Sequence, residues 1–158
     1  MLELVRNVVL IAATATTGLG IGALYTFAHT VMPGLARTDD RTLVRAFVAM
    51  DRAIMNPWFL GCFVGAPLLT ALAVALHLPA GQRAVLPWTV VALLLQLVVV
   101  VITGRVNIPL NQQLAADAGG DPAAARGRFE AAWVRGNLIR TVAGVLAFLC
   151  LICALVFA

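Results

Sequence analysis

Four apolar runs alternate with polar segments along the chain: Val8 to Val31, Pro57 to Leu78, Ala84 to Gly104 and Thr141 to Ala158. Crossing a bilayer as a helix takes about 20 apolar residues, so each run predicts a span. The fourth run is short, and its helix is predicted to begin well upstream. The first follows Arg6 and has Thr26-Phe27-Ala28 near its end, which loosely resembles a cleavage site. It is longer than the apolar segment of an ordinary signal peptide, and cleavage is the alternative to a first span.

The connections differ in kind. Pro79 to Arg83 predicts a tight turn between spans two and three. Met32 to Asn56 and Arg105 to Arg140 both carry helical periodicity. Asp40 is a predicted cap for a helix in which Leu43, Val44, Phe47, Val48 and Met50 recur at roughly helical spacing. Asp121-Pro122 joins a capping residue to a proline suited to the first helical position. From there the pattern runs through Phe129, Trp133 and Asn137 into the fourth span. The expected architecture is all-α: an integral membrane antiparallel four-helix bundle in one domain, residues 1–158. Helices two and four are expected to extend beyond the membrane. Asp117-Ala-Gly-Gly-Asp121 is the one clear flexible loop.

Composition agrees with the pattern. Of 158 residues, 62% are hydrophobic and 11% charged, against about 25% charged in a soluble domain; mean hydropathy is +0.98. A soluble chain of this length could not bury that much apolar surface. A disordered chain, a disulfide-stapled secreted domain and a free nucleic-acid binder are excluded. The net charge of +4 comes entirely from arginine. The basic pI is explained by arginine-rich loops without any nucleic-acid partner. Nine of the 11 arginines lie on the two long connections, and only Arg6 and Arg83 on the other side. This predicts cytoplasmic connections and both termini outside, in a bacterial cell membrane.

The two halves resemble each other. His29-Thr-Val-Met-Pro33-Gly-Leu35 aligns with Arg105-Val-Asn-Ile-Pro109-Leu-Asn111. Each proline is followed by a candidate capping aspartate, then Phe47 or Phe129, then Asn56 or Asn137. Two repeated helical hairpins would have this signature, as would chance similarity between two span-turn-helix segments.

Polar side chains in a span usually face the bundle. Tyr25 and His29 are one turn apart. Gln96, Thr103, Asn107 and Asn111 form one stripe; Arg126, Glu130, Trp133, Asn137 and Arg140 form another. Pro109 is expected to bend or end its helix. His29, Asn56, Asn107 and Arg140 each stand at the same end of a different span, while the opposite half is almost wholly apolar. This predicts a pocket at the cytoplasmic end, suited to a flat hydrophobic molecule bearing a few oxygens. Architectural alternatives remain open for each: interface placement for His29, capping for Asn56, interhelical bonding for Asn107 and Asn111, anchoring for Trp133, and snorkelling for Arg140. Gly18-x-x-x-Gly22 predicts a close helix contact.

Cys150-x-x-Cys153 has redox or zinc-like spacing, yet lies in an apolar run with no further ligand at that depth. Together with Cys62 these are expected to be small core or lipid-facing residues. Phosphate loops, dinucleotide fingerprints and nucleophile elbows are absent from the sequence. No metal cage and no cofactor are evident, because His29 and His77 come from opposite ends of their spans. No buried acidic residue suggests ion coupling for a transporter.

Val31-Met-Pro-Gly-Leu35, Asn56-Pro57, Val106-Asn-Ile-Pro-Leu-Asn111, and Phe129 through Trp133, Asn137 and Arg140 resemble the bacterial branch of the anthrone-oxygenase-like membrane family. The resemblance runs from about Gly18 to Val145, and most of that branch is known only as a domain of unknown function. It implies an O2-dependent oxidoreductase acting on an anthrone, quinol or polyketide-type aromatic. In that chemistry His29 would be the base, Asn107, Asn137 and Arg140 the donors to a developing oxyanion, and Trp133 a stacking platform. Tyr25, Asn56 and Asn111 would complete the binding pocket. The competing reading is a non-catalytic membrane protein that binds a lipid or quinone, or an assembly subunit. A homo-oligomer is compatible with either.

Overall fold

The structure, a computed structural model, describes residues 1–78 and 84–158. The turn expected at Pro79 to Arg83 lies outside the described residues. Five helices account for nearly all of the rest: α1 Leu2–Leu35, α2 Asp40–Ile54, α3 Pro57–His77, α4 Leu86–Asp117 and α5 Pro122–Val156. Among the described residues there is no strand. All but α2 are long and apolar enough to cross a membrane, and the chain is an integral membrane protein.

The spans form an antiparallel bundle. α1 packs against α3 and α5, α4 closes the ring by packing against the same two helices, and α1 and α4 stand on the diagonal. Close approach comes from small residues. Ala13, Ala73, Ala92, Ala147 and Ala154 are buried with Leu10, Val85 and Leu151 in the half away from α2. A Cβ on Gly144 would sit 1.9 Å from Ile21 Cδ1, and one on Gly20 would touch Cys62. The contact expected from Gly18-x-x-x-Gly22 is only half present. Gly18 meets the Phe148 ring, but Gly22 faces open space. Threonine hydroxyls inside the spans bond back to the preceding turn, as Thr14 does to Leu10 O and Thr70 to Ala66 O. This satisfies them without a partner helix. Cys150 packs at the edge of the alanine-rich cluster, and all three cysteines are free thiols.

The long connections differ from expectation in one respect. The second span does not continue upstream into α2. Asn56 takes an extended conformation (φ −118°, ψ 160°), as the residue before a proline tends to, and this separates α2 from α3. It is α4 that runs on, through Pro109 to Asp117, and α5 that begins early at Pro122. The cap of α2 is Asp39, which accepts from Thr42 N at 3.0 Å. Asp40, the expected cap, instead pairs with Arg126 at 3.0 Å. Asp121 caps α5 through Ala123 N, as the sequence suggests.

Pro109 does not end its helix. Residues Thr103–Asn107 form a π-turn, in which Ile108 N–H bonds to Thr103 O. The wider turn keeps the proline ring from colliding with the carbonyl one turn back, so the helix survives its missing donor. α1 carries the same device: a π-turn at Phe27–Val31, with Met32 N–H bonded to Phe27 O, ahead of Pro33. The two π-turns stand at identical offsets from their prolines, on diagonal helices. The sequence similarity between the halves therefore corresponds to a shared backbone irregularity.

Candidate functional site

α2 lies across one end of the bundle. Its apolar face, Leu43, Val44 and Phe47, is buried against Met32, Leu114, Phe129 and Trp133. Arg126 at the start of α5 pins the α1–α2 connection, donating to Ala36 O at 2.9 Å, Thr38 O at 3.0 Å and Asp40 Oδ1 at 3.0 Å. Four aromatic rings meet beneath α2. Phe47 stands edge-on to Phe129 at 4.5 Å and to Trp133 at 5.0 Å, and Phe27 lies 5.7 Å from Trp133.

Beside this aromatic cluster is a cavity of about 150 Å³. Every helix contributes to its wall, and most of that wall is apolar. Leu24 and Phe27 come from α1, Phe47 and Asp51 from α2, Phe59 and Phe63 from α3. Thr103, Ile108 and Asn111 come from α4, and Trp133, Asn137 and Arg140 from α5. Two hydrogen-bonded chains supply its polar side. In the first, Arg140 donates to Asn137 Oδ1 at 2.9 Å and to Thr103 Oγ1 at 3.1 Å, while Asn137 donates to Leu24 O at 3.1 Å. In the second, Trp133 Nε1 donates to Asn111 Oδ1 at 2.8 Å, and Asn111 donates to Asp51 Oδ1 at 2.6 Å.

The charges are unevenly matched. Arg140 is 5% exposed and belongs to none of the ion pairs among the described residues, which join Arg126 to Asp40 and Glu130, and Arg128 to Asp117. Its Nε has no hydrogen-bond partner there. A buried cation normally requires pairing, so this guanidinium is free to meet an electron-rich or anionic oxygen in the cavity. Asp51 is half-buried. Burial pushes its carboxyl above the ordinary aspartate value, and the hydrogen bond from Asn111 partly opposes that rise.

The residues singled out from the sequence separate into three groups. Asn111, Trp133, Asn137 and Arg140 line the cavity together. Asn107 is buried but behind the wall: its amide donates to Trp133 O at 3.3 Å, and it lies against Gly136, where a Cβ would come within 2.9 Å of Asn107 Oδ1. Tyr25, His29 and Asn56 do not line this cavity. His29 and Tyr25 are exposed on α1, with their ring centroids 4.3 Å apart and the planes tilted by 55°, and His29 Nδ1 lies against Thr30 Oγ1. Asn56 spends both ends of its amide on the helix junction, accepting from Phe59 N and donating to Ala53 O. His77, at the end of α3, is 1% exposed, with Nδ1 2.7 Å from Ala73 O.

Asp51, Phe27 and Phe47 also line the cavity, outside the polar stripes of the spans. Asp51 carries a usable signal. It stands four residues after Phe47, so helical spacing puts a carboxylate on the apolar face of α2. A smaller cavity of about 30 Å³ lies between α1, α3 and α4, beside Gln96, which donates to Thr17 Oγ1 at 2.9 Å. Among the described residues no three His, Cys, Asp or Glu side chains cluster closely enough to hold a metal ion.

The anthrone oxygenase family model matches residues 57–150, from the start of α3 to within two turns of the end of α5. The chain belongs to the anthrone oxygenase family. The matched region contains Thr103, Asn111, Trp133, Asn137 and Arg140, so the guanidinium, the amides and the indole of the cavity all fall within the anthrone oxygenase match. The α1 and α2 walls, including Asp51, lie outside it. No curated protein and no solved structure matches the chain.

Proposed function

We propose that this protein is a membrane-embedded oxygenase that oxidises a flat hydrophobic aromatic of anthrone or quinol type, bound in the cavity beneath α2. One observation carries the reading. A buried arginine with no carboxylate partner faces an aromatic-lined cavity inside an anthrone oxygenase family domain. An anthrone has a weakly acidic C–H beside an aromatic ketone. Losing that proton gives an oxyanion delocalised over the rings, which reacts with O2. Arg140, oriented by Asn137 and Thr103, is the donor to that oxyanion, and donors held in a dry site count for far more than in water. Trp133 offers a ring face for stacking, and Asn111 holds the indole N–H so that its orientation is fixed.

A lipid-soluble substrate also suits the rim. Met55, Leu60 and Ile108 line the cavity and are themselves exposed, which fits entry from the bilayer. The same feature favours the second reading, a non-catalytic protein that holds a lipid or quinone. The proposal takes this end of the bundle as the cytoplasmic one, a reading supported by the arginine-rich long connections and the positive-inside rule.

The test is turnover of an anthrone by the purified protein in lipid nanodiscs under air, followed as anthraquinone absorbance. The oxygenase reading expects formation well above the spontaneous rate. Binding of the anthrone with no acceleration would favour the non-catalytic reading.

A further inference from the structure

We propose that Asp51 is the general base of this reaction, the group that takes the proton from the substrate carbon. The inference rests on the oxygenase reading and adds the acid–base partner that reading lacks, since His29 stands outside the cavity.

Three observations converge on Asp51. It is the one carboxylate in the cavity wall. It occupies the buried side of an amphipathic helix, where an apolar residue would cost nothing and a carboxylate must be desolvated. Its Oδ1 is fixed by Asn111 at 2.6 Å, and Asn111 is fixed in turn by Trp133 Nε1. The carboxylate is therefore held in register with the indole on which the substrate would stack. Arg140 shares the cavity without forming an ion pair with it. A base and an oxyanion donor on separate walls of one cavity is the arrangement that enolisation of a bound ketone requires.

The chemistry balances with O2 as the oxidant. Asp51 accepts one methylene hydrogen as a proton, and the C–H electron pair moves into the ketone, whose oxygen becomes the oxyanion beside Arg140. The carbon then forms a C–O bond to O2, and the resulting peroxide takes the proton back from Asp51. Asp51 removes the second hydrogen as the O–O bond breaks, forming the new C=O. The departing hydroxide takes that proton from Asp51 and leaves as water, which returns the carboxylate. One methylene and one O2 become one carbonyl and one water.

Charged neighbours are few. Among the described residues Arg140 on α5 is the only other ionisable side chain in the cavity wall; α1, α3 and α4 present Leu24, Phe27, Phe59, Phe63 and neutral amide or hydroxyl groups there. On α2 itself, the adjacent Arg52 is exposed. Burial raises the Asp51 pKa, which makes its carboxylate a stronger base than an ordinary aspartate. Because the base must be ionised, kcat/KM should rise with pH through that pKa.

The experiment compares the wild type with Asp51→Asn, Asp51→Glu and Asn111→Ala in nanodiscs, recording turnover against pH and binding of the product anthraquinone by tryptophan quenching. Asp51→Asn is expected to keep anthraquinone binding and lose about 10²–10⁴-fold in rate. Asp51→Glu is expected to restore part of that rate. Asn111→Ala removes the hydrogen bond that holds the pKa down, so its acidic limb should move to higher pH, a shift that loss of packing would not produce. If Asp51→Asn turns over at the wild-type rate, or if the limb stays in place in both Asp51→Glu and Asn111→Ala, the base role is overturned and the oxygenase reading stands. If the wild type turns over no anthrone, the reading fails and the base role falls with it.

Discussion

Arg140 lies over the indole of Trp133, with its Cζ 5.6 Å from the ring centroid. The two residues are seven apart on α5, two helical turns, so both face the same way. The contact holds the guanidinium over a ring face instead of against a carboxylate. It leaves the cation available to the cavity, while Asn137 and Thr103 fix its orientation. Charge and stacking surface come from one helix face, and the other four helices supply the walls.

Arg140→Met should fold and insert but lose about 10²–10³-fold in kcat, the usual cost of removing one oxyanion donor. Arg140→Lys should recover only part of this. Lysine keeps the charge but cannot reach Thr103 and Asn137 together with a planar fork. Steady-state kinetics on both variants, with circular dichroism to confirm helicity, makes the comparison.

His29→Gln should retain wild-type turnover and pH dependence, because His29 is exposed and packs beside Tyr25 away from the cavity. A large loss of kcat in that variant would relocate the chemistry to the outer face of α1.

Gly136→Ala should destabilise the bundle by about 1–3 kcal/mol, as overpacking does. The new methyl would meet Asn107 Oδ1 at 2.9 Å and Val106 Cγ1 at 3.1 Å. Gly22→Ala is the control. Nothing lies within 4 Å of that position, and alanine is the better helix former, so it should be neutral or slightly stabilising. Thermal denaturation in detergent, read by the loss of monodisperse protein, separates the two.

Single cysteines at Ala116 and Ala158, in a background with Cys62, Cys150 and Cys153 replaced by serine, report orientation. An impermeant thiol reagent added to intact cells should label position 158 and spare position 116. The reverse pattern would put the long connections outside.

Much of this arrangement is legible in the sequence because bilayer solvation restricts the choices. Four apolar runs must be helices, and the Trp133, Asn137, Arg140 stripe follows from period 3.6 alone. Where the structure departs from that reading, the causes are local. Stripe reasoning puts Thr103, Asn107 and Asn111 on one face, but the π-turn at Thr103–Asn107 adds a residue to the turn. Thr103 and Asn111 reach the cavity, while Asn107 is directed into the α4–α5 contact. Depth groups His29 with the amides, and depth does not specify which way a side chain faces. Asn56 shares their depth but is consumed by the junction that Pro57 imposes. Asp51 lies outside the apolar runs, so the pattern of spans does not single it out. Its burial arises only when α2 folds back over the bundle end.

The most direct measurement is O2 uptake and anthraquinone formation recorded together in nanodiscs, for wild type, Arg140→Met and His29→Gln. The account expects one O2 consumed per anthraquinone formed by the wild type, the same rate in His29→Gln, and a rate about 10²–10³-fold lower in Arg140→Met. Wild-type turnover that survives undiminished in Arg140→Met would contradict it.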